Sequence, residues 1–323
     1  MVKLLVAGAV DDFQFWPNFN LVKALRGFCT IVAILLLTTG AIFAADSPVI
    51  APGAKLEILG EGYDHADGSA ADRDGNVFFA DQSKDRIVKW NAADGKLSDW
   101  LTPAGLAEGL DFDKSGNLLA TAVEKGELWS IAPDKTVTVL VTNFGGKQFN
   151  GPNDLWISPD GGVYFTDPYY RMTRMIRDPK AQMAGQHVYF LAPDRKTVKQ
   201  VTTDILKPNG IVGTPDGKVL YVGDVGGLTT WTYDIQTGGE LTNKRLFYDR
   251  RSEGMTIDVE GYVYLTGTTG VTVLDKTGKK IEQIDLPEDS TSNVSFGGKD
   301  RDLLFITGGS YVYGLRMRVK GVR

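Results

Sequence analysis

Six oxygen-bearing side chains stand at matched positions along this chain of 323 residues: Asp67, Glu108, Asn153, Asn209, Glu253 and Asn293. Each opens a copy of one phrase, a short apolar run that ends in a turn. In the first five copies a glycine follows eight residues later, at Gly75, Gly116, Gly161, Gly217 and Gly261; the sixth has Arg301 there. Carboxylates and amides gathered around one axis are hard oxygen donors. Ca²⁺ and Mg²⁺ prefer such a set, and Mn²⁺ or Zn²⁺ can also be held. Carboxylates crowded without partners repel and raise one another's pKa, and a divalent cation among them removes that cost. A second reading stands beside this one. Asn, Asp and Gly recur in loops because they tolerate turn geometry and bond local backbone, and repeats keep a residue in place for architecture alone.

The elements that must position these residues follow from the spacing. Intervals of 40 to 56 residues between the opening residues, each filled by short strands and turns, predict an all-β fold, a six-bladed β-propeller. About 280 residues after the N-terminal segment give roughly 47 per blade, the size of a four-stranded blade with short loops. The expectation is one propeller domain over 45–323, with no second domain. In the first copy, strands are predicted over 69–72, 77–80, 86–91 and 97–101, with Gly75 in a hairpin turn. The strand at 55–59 is predicted to pair with the last blade and close the ring, which removes open sheet edges. Outside the N-terminal segment no stretch has a convincing helical period. The opening residues enter the innermost strands at the channel, so the ring of six lies at one end of it. The Asp-Gly turns lie at the other end and lack the alternating ligands and terminal Glu of an EF-hand. Residues 168–186 widen the third interval and carry Tyr169, Tyr170, Arg171, Arg174 and Arg177. A long loop on a rigid scaffold is a lid or lines a binding mouth, which makes Tyr169 and Arg171 candidate substrate contacts; a packed surface excursion is the alternative.

Net charge is −5, and no patch of Lys and Arg with interleaved aromatics stands out, which argues against nucleic acid as a partner. The single cysteine, Cys29, lies in the N-terminal segment, so disulfides and cysteine metal sites are excluded from the remainder. Residues 29–45 form an apolar run preceded by Lys23 and Arg26 and followed by small residues. That pattern predicts a secretory signal peptide over 1–44, cleaved after Ala44, and a periplasmic or secreted protein with no membrane attachment after cleavage. An uncleaved anchor is the alternative. Asp11, Asp12 and Trp16 are odd in a signal peptide and place the expected start nearer Leu21 or Val22. Of the two histidines, His187 reads as structural, while His65, two residues before Asp67, could reach the channel mouth.

The blocks GPNDLWISPDGGVYFTDP, KPNGIVGTPDGKVLYVGD and EGMTIDVEGYVYLTG, with the closing STSNVSFGGKD, resemble the gluconolactonase, senescence marker protein (regucalcin) and luciferin-regenerating enzyme family over nearly all of 60–316. The resemblance implies a six-bladed propeller with one divalent cation in the channel, Ca²⁺ first and Zn²⁺, Mg²⁺ or Mn²⁺ as alternatives, and hydrolysis of a small lactone. It carries the family's metal ligands onto Asp67, Asn153, Asn209 and Glu253. The family's usual Glu is Asp at 67 and its usual Asp is Glu at 253, so reach shortens on one side and lengthens on the other. On this resemblance Glu253 is ligand and general base, Asn153 also orients substrate hydroxyls, and Glu108 is a candidate substrate contact, with an added ligand, a second base or a bystander as the other readings. The chain has no G-x-S-x-G elbow. Rival expectations on the same architecture are a non-catalytic binding propeller and a strictosidine-synthase-like condensation.

Overall fold

The computed structural model of the protein describes residues 47–171, 181–287 and 291–322; the N-terminal signal expectation and the middle of the 168–186 loop, with Arg174 and Arg177, lie outside them. The described chain forms six four-stranded antiparallel sheets and one short hairpin, Asn143–Phe144 with Lys147–Gln148. The sheets are the blades of a propeller, as the repeat predicts. Each of the first five runs outward in chain order. Blade 1, for example, is Ala66–Ala71, Val77–Asp81, Arg86–Trp90 and Leu97–Leu101. The first strand starts three residues earlier than its pattern suggests, because Ala66 pairs with Asp81 across a bulge. Blade 6 takes Asn293–Gly297, Leu303–Gly308 and Tyr311–Arg316 from the end of the chain, and Glu57–Glu61 from its beginning. That outermost strand pairs with Tyr311–Arg316 and closes the ring where expected.

The second strand of each blade is a continuous apolar run, because it is covered on both faces. Successive side chains point opposite ways along a strand. Phe78 therefore packs toward blade 2, edge-on to Phe112 at 5.1 Å, while Phe79 faces back to Phe305 of blade 6 at 5.6 Å. Tyr164 and Phe165 of blade 3 divide in the same way, toward blade 4 and blade 2 respectively. The hydrophobic core is thus a set of clusters between blades, and the channel at the centre keeps polar side chains.

The innermost strands crowd together around the channel. A Cβ on Gly68 would meet the carbonyl oxygen of Glu108 at 1.7 Å, and one on Gly254 would meet the Cα of Asn293 at 2.6 Å. Glycine after the opening residue lets the next blade's opening residue come this close. Blade 3 breaks the pattern with Asp154, whose Oδ2 accepts the Ile211 N–H of blade 4 at 3.1 Å. At the turn end of the channel lies a cavity of about 820 Å³, lined by Asp111, Asp154, Trp156, Asn293 and Arg301 among others. It does not include Asp67, Glu108, Asn153, Asn209 or Glu253, which stand at the other end.

Candidate metal centre

The approach to each inner strand is pinned from behind. Asp81, Asp167 and Asp224 end the second strands of blades 1, 3 and 4. Asp81 accepts the N–H groups of Asp64 and His65, Asp167 those of Asn150 and Gly151, and Asp224 those of Leu206 and Lys207. Each carboxylate fixes the segment that delivers Asp67, Asn153 or Asn209 to the channel. Buried threonines complete the frame. Thr121 Oγ1 donates to the Asn153 carbonyl and Thr166 Oγ1 to the Asn209 carbonyl, both at 2.7 Å. Thr266 Oγ1 accepts the Gly254 N–H at 2.8 Å.

The ring itself combines three carboxylates with two amides. The Asn153 side-chain N–H donates to Glu108 Oε2, and Gln82 donates to Glu108 Oε1. The Asn209 side-chain N–H donates to the Tyr170 hydroxyl at 2.8 Å. Both amides therefore commit their nitrogen to the protein, and among the described residues neither Oδ1 accepts a hydrogen bond. Asp67 Oδ2 lies 3.4 Å from His65 Nε2, and Glu253 Oε1 lies 3.3 Å from Arg251 Nη1. Asp154 is not a spoke, since both its oxygens accept backbone N–H groups. Asn293 is turned onto its own strand, where its Oδ1 accepts the Val294 N–H.

The charges sense one another across the channel. Burial raises the Glu108 carboxyl well above the usual range, and the charge of Asp67 raises it further, against His65 and the Gln82 hydrogen bond. Glu253 is raised by burial, with Arg251 opposing and Asp67 adding. His65 is pushed up to about 9, first by its hydrogen bond to Asp67 and, against burial, by the charges of Asp67, Glu108 and Glu253.

Of the residues singled out from the sequence, Asp67, Glu108, Asn153, Asn209 and Glu253 come to one end of the channel. Glu108 is buried, and each of its oxygens accepts from a protein amide, so it orients Asn153. In the long loop Tyr170 reaches the ring, and the Tyr169 backbone N–H donates to Gln186 at 2.7 Å. Arg171 is exposed and contacts none of these residues among those described. His65 does reach the mouth, and His187 lies in an outer strand of blade 3. Sequence reading missed Gln82, Lys207 and the threonines. The threonines carried a signal, since Thr121, Thr166 and Thr266 each stand thirteen residues after their opening residue.

The donor chemistry fits a hard cation. Two unclaimed amide oxygens and two carboxylates, Asp67 and Glu253, are oxygen ligands of the kind Ca²⁺ takes. Among the described residues no three His, Cys, Asp or Glu side chains form a metal cluster by themselves, so the set needs its amides.

A closed six-bladed propeller with a carboxylate–amide ring at one end of its channel is the class of protein that fold and site define. Residues 57–310 match the SMP-30/Gluconolactonase/LRE-like region, and the chain belongs to that family. It is 28% identical over 295 residues to the gluconolactonase of Zymomonas mobilis, covering 82% of each chain. It is 28% identical over 246 residues to the regucalcin of Oryctolagus cuniculus, covering 72% of this chain and 79% of that one. A solved gluconolactonase structure from Xanthomonas campestris superposes with a TM-score of 0.78 at 26% identity, covering 83% of this chain and 91% of that one.

Proposed function

We propose that the protein is an exported lactone hydrolase that works with one divalent cation, Ca²⁺ first among the candidates. Asp67, Asn153, Asn209 and Glu253 would hold the ion. The observation that carries this reading is the orientation of the two amides, each with its nitrogen tied to the protein and its oxygen unclaimed. Membership of a family that includes gluconolactonases supports the reaction class. When bound, such a cation polarises an ester carbonyl and lowers the pKa of a coordinated water.

The residues supply the rest. Glu253, whose carboxyl is raised by burial, is the general base of the reaction. It removes a proton from the water that attacks the lactone carbonyl. The new carbon–oxygen bond forms first, giving a tetrahedral adduct; as the carbonyl re-forms the ring ester bond breaks, and Glu253 returns the proton to the leaving alkoxide. The product is an open hydroxy acid. Glu108 holds the Asn153 amide, and Tyr170 holds that of Asn209, so the ring keeps its shape through the cycle. Export rests on the apolar run over 29–45, and N-terminal sequencing of the exported protein should begin at Ala45.

The test is hydrolysis of a panel of aldono- and aliphatic lactones by purified 45–323, stripped with EDTA and reloaded with Ca²⁺, Mg²⁺, Mn²⁺ or Zn²⁺. Activity should vanish on stripping and return with one metal. Glu253→Gln should lose roughly 10²–10⁴-fold in kcat, the worth of a general base. Full activity in EDTA, or in the Gln variant, would remove the metal-assisted mechanism.

A further inference from the structure

Two of the four proposed ligands carry basic partners, His65 on Asp67 and Arg251 on Glu253. A third basic group at this mouth has no carboxylate within 4 Å among the described residues. Lys207 lies two residues before Asn209, and its backbone is fixed at both ends: its N–H donates to Asp224 at 2.9 Å, and its carbonyl accepts the Val225 N–H at 2.9 Å. Its ammonium sits 3.5 Å from the centroid of the Tyr170 ring, the tyrosine whose hydroxyl accepts from Asn209. Lys84, Lys199, Lys218 and Lys244 each have a carboxylate within 4 Å. Lys207, among the described residues, has only the aromatic face. It is also partly desolvated, which draws its pKa down, while Glu253 is near enough to oppose that. A half-buried ammonium held over a ring, with no carboxylate within 4 Å among the described residues, keeps most of its capacity to bind an anion.

The loaded site adds to this. A divalent cation between Asp67 and Glu253 would offset their two charges. Arg251, whose guanidinium is always charged and which pairs with Glu253, would then be left as an uncompensated positive group at the same mouth as Lys207. The Arg251 side chain is 42% exposed, so it remains open to solvent and to an anion. A neutral sugar lactone gives such a rim nothing to neutralise.

We propose that Lys207, seated on Tyr170 beside Asn209, is an anion subsite, and that the natural substrate is a lactone bearing a negatively charged substituent away from the ester, a carboxylate or a phosphate. This rests on the lactonase reading for its reaction and on the Lys207 geometry for its charge. The enzyme or enzymes that supply the substrate would then oxidise or phosphorylate a sugar at the end remote from the lactone carbon.

The test has two arms. In the first, kcat/KM is measured on glucono-δ-lactone and on the lactone of glucaric acid, with the restoring metal present. The acid lactone should be preferred about tenfold or more, the worth of a charge-assisted hydrogen bond, and the preference should shrink with added salt. Lys207→Met should bring the ratio to about one, and Lys207→Arg should keep most of it. In the second arm, calorimetry compares glucarate with gluconate, which lacks the second carboxylate. Wild type should bind glucarate more tightly, and Lys207→Met should erase the difference. Equal handling of neutral and acidic lactones, or a Met variant that weakens both in the same proportion, would overturn the subsite and leave the lactonase standing; the proportional loss would place Lys207 at the scissile carbonyl. No turnover of any lactone, with the glucarate advantage intact and dependent on Lys207, would remove the lactonase and leave the subsite.

Discussion

Single residues in this channel are tuned by what surrounds them, and Asp111 shows it away from the ring. It lies on the inner strand of blade 2, where Oδ1 accepts the Phe112 N–H at 2.8 Å and Oδ2 accepts the Ile157 N–H of blade 3 at 3.0 Å. Burial pushes its carboxyl up to about 7, against the pull of those two donors. The folded state therefore holds a proton that the unfolded state releases near pH 3.8. Stability from this group is present below that value and is lost as pH rises toward about 7. Thermal unfolding of the EDTA-stripped protein should show Tm falling by roughly 2–6 °C across that window. Asp111→Asn, which cannot ionise, should flatten the fall, even though it loses one backbone bond and starts lower. An equal slope in the variant would assign the pH dependence to other groups. At this scale the sequence was legible in part. The ring residues stood out because six polar side chains share one phase. Glu108 did not reveal its role, because the partner that buries it, Gln82, comes from blade 1 and no local pattern links them. Tyr170 is a neighbour of Tyr169 of the same type, and only the path of the loop brings its hydroxyl to Asn209.

At the level of elements, the second strand of each blade does more than fill the core. A threonine in blades 2, 3, 5 and 6 holds the inner strand, and a terminal aspartate in blades 1, 3 and 4 holds the segment leading in. Thr166 is the clearest case. It is fully buried, donates to the Asn209 carbonyl at 2.7 Å and accepts the Asp154 N–H at 3.1 Å. One side chain thus ties blade 3 to blade 4 directly beneath a proposed ligand. Thr166→Val keeps shape and volume but leaves a buried N–H and a carbonyl without this partner. The expected cost is about 1–3 kcal/mol in urea unfolding. Calcium affinity measured by calorimetry should drop as well, because Asn209 loses its backbone support. Unchanged stability and unchanged affinity together would show that the hydroxyl is dispensable. Strand positions and the closing strand were legible because apolar runs and turn glycines are local signals. The threonine frame was visible as a spacing of thirteen, but its meaning was not. A threonine in an apolar strand reads as ordinary β-propensity until the neighbouring blade is in place.

For the whole molecule, the decisive question is how the ring stays shut, and the departure in the sixth copy answers part of it. Glycines at the turns of the first five copies have φ between 69° and 93°, and Arg301 takes the same left-handed backbone at φ 60°. For an L-residue that conformation costs about 1–2 kcal/mol. The guanidinium offsets it. It donates to the carbonyls of Ala71 and Asp72 in blade 1 and to that of Phe296 in its own blade. The Gly298 N–H adds a bond to the Gly75 carbonyl at 2.9 Å. Blade 6 is thus fastened to blade 1 at the turn end of the channel, while the strand Glu57–Glu61 fastens the outer edge. Arg301→Gly would satisfy the turn pattern and relieve the backbone, yet remove three charge-assisted bonds, each worth about 1.5–3 kcal/mol when intact. The net expectation is a loss of roughly 3–8 kcal/mol in equilibrium unfolding. The loss should appear at the blade 6 to blade 1 junction first, as faster amide exchange in 293–316 and 66–81 than in blades 3 and 4. A variant as stable as wild type, or one that loosens all blades equally, would mean that the outer strand alone closes the propeller and that Arg301 is tolerated at this turn without holding it.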